Sequence, residues 1–198
     1  GITPGTDGLL NLSLVHCLMK AGRIDLDYLA RFTDAPCLVN EDPASDEHGL
    51  ILTNEAGKKM VVDRRTGKPE AYDAPGVQPD LSGTYRHAGI SHRPVLHHMA
   101  EKYLSEEYAP EAVAAQIGIP AERIRAIAAD LARVAFDEAI ELDREWTDFR
   151  GEKHSKMVGR PVAFHAMRGI SAHSNGFQTC RALHLLQIIL GSVEEPGG

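Results

Sequence analysis

The segment from Pro161 to Gly191 constrains the fold more than any other part of the chain. It runs from the apolar stretch PVAFHAM through the small polar loop RGISAHSNG into FQTCRALHLLQIILG, which is apolar at helical spacing. A bounded apolar run reads as a buried strand, and the last stretch as a buried helix closed by Gly191. Strand, polar loop and helix in that order is how α/β proteins are built. The loop at such a junction is where they bind phosphates and nucleotides. Gly169 and Gly176 would let backbone approach a ligand closely, and Ser171, Ser174 and Asn175 offer hydrogen bonds. The helix start adds free amides and a positive dipole end. The same residues would also serve as a capped turn with no ligand.

A second loop of this kind opens the chain. In PGTDGLLNLSLVHCLMKAG, Asp7 or Thr6 is placed to cap a helix in which Leu10, Leu14, Val15 and Leu18 recur at helical spacing. Gly22 is placed to end it. Asp7 beside a glycine-flanked turn could accept two N–H bonds from a guanine edge, although a plain cap explains it as well. DLDYLARFT offers a short second helix and CLVN a brief strand. From Gly49 to Tyr72, short β-type runs alternate with glycine turns, which predicts a small antiparallel meander. Ala74 to Pro94 is rich in Pro, Gly and Ser and reads as a long surface excursion. Helices return at VLHHMAEKYLSEEY and in APEAVAAQIGIPAERIRAIAADLARVAFDEA, broken at Gly118-Ile119-Pro120. The stripe Ile124, Ile127, Ala128, Leu131, Val134 and Ala135 reads as core. TDFRGEKHSKMVGR is a polar connection with the look of a hairpin.

Several functions are excluded or lose ground. Net charge is −7, so the chain has no basic footprint for nucleic acid. The apolar runs are too short to span a bilayer. No Walker-type G-x-x-x-x-G-K-[ST] and no G-x-G-x-x-G occurs. No G-x-S-x-G elbow occurs either. Cys17, Cys37 and Cys180 are widely spaced without a C-x-x-C, which gives no basis for a zinc or iron–sulfur site within this chain. Cys17 and Cys180 fall at apolar helical positions and read as buried, inert thiols. His97 and His98 point about 100° apart on a helix and cannot share an ion. His165 belongs to the expected strand, His184 reads as a hydrogen-bonded core residue, and His173 alone sits where it could meet a substrate. No metal ligand is assigned. The chain opens without an initiator Met and stops at EEPGG, so both ends are expected to continue into a longer polypeptide.

Three segments taken together carry a resemblance. PGTDGLLNLSLVHCLMKAGRIDLDYLARFT, YAPEAVAAQIGIPAERIRAIAADLA and RGISAHSNGFQTCRALHLLQIILGSVEEPGG are similar, in this order, to segments of the molybdopterin oxidoreductases, the dimethyl-sulfoxide-reductase family. HAMRGISAHSNG looks nearest to the branch that handles sulfur compounds: the tetrathionate, thiosulfate and polysulfide reductases and their sulfite-oxidising relatives. The resemblance implies an internal fragment of a larger catalytic subunit, 1–198 forming part of a Rossmann-like, α/β nucleotide-binding domain. Helices would flank that domain, and the meander and loop of 49–94 would be inserted. It implies molybdopterin guanine dinucleotide around molybdenum or tungsten, with oxygen-atom transfer or dehydrogenation at the metal. Thr6 and Asp7 would contact the guanine end. Gly169, Ile170, Ser171, His173, Asn175 and Gly176 would lie along the pterin, with His173 as the residue nearest catalysis. Partners would be a small-molecule substrate, the rest of the catalytic subunit, an iron–sulfur electron-transfer subunit, plus a membrane-anchor subunit, on the cytoplasmic or the periplasmic face. The family's cysteine motif and metal-ligating residue lie upstream of such a segment, so any iron–sulfur cluster belongs outside it. The alternative is a non-catalytic α/β or helical interaction module whose polar loop is structural.

Overall fold

The computed structural model describes residues 1–198 as two compact units. The first is assembled from Gly1–Asp25, Lys102–Arg144 and Lys156–Gly198, the second from Leu26–Glu101 and Glu145–Ser155.

The first unit is helical and built around α1 (Asp7–Lys20). Asn11, Ser13, Leu14, Val15, His16 and Leu18 are all buried, so the helix is enclosed over most of its circumference. It packs against α4 (Pro110–Ile117), α5 (Ala121–Ala132) and the C-terminal α6 (Gly176–Ile189). Each helix stops where its sequence says. Gly22 and Gly191 take positive φ just past α1 and α6, and Gly118 caps α4 in the left-handed conformation. Pro110 opens α4, where its missing N–H costs nothing. Ile124, Ala128 and Ala135 of the expected stripe are buried, and α5 runs on into a π turn, Arg133–Asp137. Full burial of a Leu or Ile side chain such as Leu18, Ile117, Leu186 or Ile189 stabilises by roughly 1.5–3 kcal/mol each. The far ends of α1 and α6 are tied: Asp25 N donates to Ile189 O at 2.8 Å, and Arg160 Nε donates to Asp25 Oδ2 at 2.8 Å.

The second unit carries most of the strands. β1 (Leu38–Asn40), β4 (Tyr85–His87) and β5 (Ile90–Pro94) form an antiparallel sheet in the order β1-β5-β4, with Val39 opposite Arg93. β2 (Met60–Asp63) and β3 (Lys68–Ala71) form a hairpin, linked back through bridges Val39↔Ile51 and Thr53↔Lys59. Its turn is set by Asp63, whose Oδ1 accepts from Arg65 N at 3.0 Å, and by Gly67 at φ +66°. α2 (Leu26–Phe32) and most of α3 (Val95–Tyr103) complete the unit, over a small core of Cys37, Val61 and Val77. A second hairpin pairs β7 (Trp146–Thr147) with β8 (Lys153–His154). In the first unit β6 (Ile140–Leu142) pairs with β9 (Met157–Gly159).

The architecture is therefore mixed α/β with small antiparallel sheets. Every strand pair is antiparallel, and this chain forms no parallel sheet of the Rossmann type. Four local expectations are corrected. PVAFHAM is not a strand: it is unpaired, only Val162 is buried, and Met167 is exposed, because no neighbouring strand lies beside it. Within the expected excursion 74–94 only 74–84 is irregular; Ala88 and Gly89, both at positive φ, turn 85–94 into the β4–β5 hairpin. His184 is exposed rather than a core residue. Cys17 and Cys180 are half-buried, and the enclosed thiol is Cys37.

Candidate functional site

The two polar loops, far apart in sequence, meet in the first unit. α1 and α6 lie side by side with the same polarity. At the near end Asn175 Nδ2 donates to Gly5 O at 3.0 Å; at the far end Asp25 joins Ile189. Gly8 makes the close approach possible: a Cβ there would lie 3.0 Å from Thr179 Oγ1 and 3.2 Å from Thr179 Cα. Two helix N-termini thus open onto one face, and their partial positive charges add where an anion would sit.

The geometry sorts the expected residues. Thr6, Asp7, His173, Asn175 and Gly176 come together, while Gly169, Ile170 and Ser171 form a 3-10 turn (Arg168–Ser171) packed on α6. Asp7 is the first residue of α1 rather than its cap. Thr6 holds the cap position, but its hydroxyl donates to Thr3 O at 2.6 Å. Asn175 commits its amide nitrogen to Gly5 O, and Ser171 Oγ donates to Arg168 O at 3.0 Å. Gly176 serves the loop itself, not a ligand: a Cβ there would fall 2.1 Å from Ser171 O. Gly169 has open space around it. Left facing solvent are His173, Ser174 and Arg168, with Asp7 half-buried at the start of α1. Met167 and Phe177 flank the loop at 71% and 74% exposure, large apolar surface at the rim. These features suit a phosphate-bearing group with an apolar or aromatic part. His173 is exposed at this face, where a ligand would reach it, and its ring lies close to Gly5.

One cluster escaped sequence reasoning because a hairpin makes it. Ligand atoms of Asp148, Glu152 and His154 lie within 4.8 Å of one another. The buried Asp148 is already engaged: Oδ1 accepts from Arg150 N and Glu152 N, each at 2.9 Å, and Oδ2 from His154 Nε2 at 3.1 Å. Burial works to raise its pKa, but the His154 bond and the two backbone N–H groups outweigh it and hold the carboxyl below its ordinary value. The cluster is the lock of the β7–β8 turn.

No family model matches the chain. Over its whole length the chain is 41% identical to a sulfite dehydrogenase subunit of Allochromatium vinosum, and it spans 21% of that protein. The family reading is corrected on these findings. The relative is named for sulfite oxidation, which the sequence resemblance gives only as one arm of a branch headed by the tetrathionate, thiosulfate and polysulfide reductases, and its name specifies no molybdopterin. Assignment to the molybdopterin oxidoreductases as a catalytic fragment, with the reaction tied to it, is therefore not carried forward. The alternative of a non-catalytic interaction module gains no support either, because the similarity is to part of an oxidoreductase. The chain is similar, end to end, to about a fifth of a sulfite dehydrogenase subunit.

Proposed function

We propose that the chain forms part of one subunit of a sulfite-oxidising dehydrogenase, and that its paired helix starts hold a phosphate-bearing group. The observation that carries the reading is similarity, over the whole of this chain, to about a fifth of a sulfite dehydrogenase subunit, together with two parallel helix N-termini meeting at an exposed polar loop. Sulfite oxidation adds an oxygen from water and releases two electrons and two protons as sulfate forms. The electrons need an acceptor, and a relative named as one subunit among others fits an assembly in which partner subunits take them. In that scheme α1 and α6 supply amides to the anion, Arg168 adds a mobile positive charge, and Asn175 holds the two loops in register through Gly5. Met167 and Phe177 offer apolar surface beside the bound group, and His173 is within reach to donate or accept a proton.

The test has two arms. Sulfite-dependent reduction of ferricyanide by the purified complete enzyme that contains this chain checks the activity, and phosphorus and mass analysis of whatever co-purifies checks the group. The same analysis, with metal content, identifies the ligand chemically. Asn175→Ala, which cuts the tie to Gly5, is expected to lower retention of the bound group at least severalfold. A complete wild-type enzyme that reduces nothing with sulfite rejects the activity, and undiminished phosphorus in its Asn175→Ala variant rejects the site.

A further inference from the structure

A cavity of about 690 Å³ lies between α1, α4 and α5 in the first unit, away from the loop site. That volume falls in the range of small-molecule pockets, roughly 300–1,000 Å³. Its walls are mostly apolar, with Leu18, Ala109, Pro110, Ala128 and Ala132 among them. The charged groups at its edge are all paired, Arg133 with Glu138 outside the cavity and the others with one another. Lys20 meets Glu106 at 3.3 Å, Arg23 meets Asp137 at 2.5 Å, and Arg125 pairs with Glu111 across α4 and α5. An ionic ligand would find no uncompensated charge there, whereas an uncharged one disturbs no pair. Cys17 lines the same space, and burial pushes its thiol above its ordinary pKa, so it stays neutral.

One buried polar group gives the cavity a direction. His16 is 1% exposed, lines the cavity, and bonds through Nδ1 to Tyr103 O at 2.9 Å. A carbonyl only accepts, so the ring presents its N–H at Nδ1, and in that tautomer Nε2 is left as an acceptor. The far wall ends in the π turn Arg133–Asp137, an irregularity that concentrates at functional sites. Ala132 O, just before it, accepts from Arg23 Nη2 at 3.2 Å. We propose that this cavity binds an uncharged, mostly apolar small molecule that carries a hydroxyl, of the phenol type, and donates it to His16 Nε2.

The proposal is tested by titrating the protein with 1-naphthol and following the naphthol fluorescence. 1-Methoxynaphthalene, which has no donor, and naphthalene-1-sulfonate, which is charged, are the comparators. Naphthol is expected to bind saturably. The methyl ether should bind about 3- to 10-fold more weakly, the size of one hydrogen bond, and the sulfonate more weakly still. Ala129→Trp adds bulk from an exposed position on the cavity wall and is expected to abolish naphthol binding. As a measurement that needs no variant, saturating naphthol should slow maleimide labelling of Cys17 and leave that of Cys180 unchanged. Absent or non-saturable binding overturns the proposal. So do equal binding by the Ala129→Trp variant, a preference for the sulfonate, and unaltered Cys17 labelling.

Discussion

Gly169 and Gly176 stand at the two ends of one loop, and the structure gives them opposite tolerances. A Cβ built on Gly176 lies 2.1 Å from Ser171 O and 2.5 Å from Ser171 C, whereas one built on Gly169 meets nothing within 4 Å. Neither has a positive φ, so the contrast is steric rather than conformational. In Gly176→Ala the 3-10 turn has to move by about an ångström, which is overpacking at about 1–3 kcal/mol. Against this, alanine at the start of α6 recovers up to about 1 kcal/mol by restricting the unfolded chain. The steric term wins, leaving a net loss of about 1–2 kcal/mol. For a chain of this size that is a fall of about 2–8 °C in Tm. Gly169→Ala has only the favourable term and should leave Tm unchanged or raise it slightly. Thermal unfolding of both variants, followed by circular dichroism, is the assay. Equal Tm for the two variants would show that the turn does not rest on α6.

Three further outcomes are expected. Arg160→Met removes a mostly buried guanidinium that bonds Asp25 Oδ2 at 2.8 Å and Ala135 O at 3.3 Å, with Phe136 beneath it. It should destabilise by about 2–4 kcal/mol, somewhat below a fully enclosed pair, and a urea midpoint equal to wild type would refute that. Asp148 has a folded pKa below its unfolded value of about 3.9. Its contribution is therefore complete above pH 4 to 5 and lost as pH falls through the folded value, so Asp148→Asn should flatten the acid limb of the stability curve, read by urea unfolding between pH 2 and 6. The Cys37 thiol is pushed up to about 12, chiefly by burial and then by Asp34. It should resist iodoacetamide at pH 8 until the protein unfolds, and fast labelling of the native state would contradict its packing.

Legibility in the sequence followed the range of the forces involved. Helices α1, α4, α5 and α6 could be read because period and terminators are local: the Leu10–Leu18 spacing, Pro110, and the glycines at 22, 118 and 191. The meander between Gly49 and Tyr72 was legible for the same reason. PVAFHAM misled because an apolar run becomes a strand only beside another strand, and that depends on partners the run does not encode. The β4–β5 hairpin was hidden because alanine, not glycine or asparagine, takes the first left-handed position of its turn. At the candidate site the residue types of both loops were visible. Which hydrogen bonds they spend on each other was not, since Asn175 and Gly5 lie 170 positions apart. The pairing of β1 with β5 and the cavity beside His16 are tertiary, joining segments far apart in the chain.

The same separation sets a timetable for the molecule's assembly. α1 (Asp7–Lys20) is made well before α6 (Gly176–Ile189), the helix that covers it. At about 5–20 residues per second, Leu14, Val15 and Leu18 wait on the order of 10 to 30 seconds for their neighbour. Bringing the ends together then costs about 4–5 kcal/mol of loop entropy. Until that closure a greasy helix stands open to chaperones and to other chains, so truncations that remove α6 should yield aggregates rather than a smaller folded product.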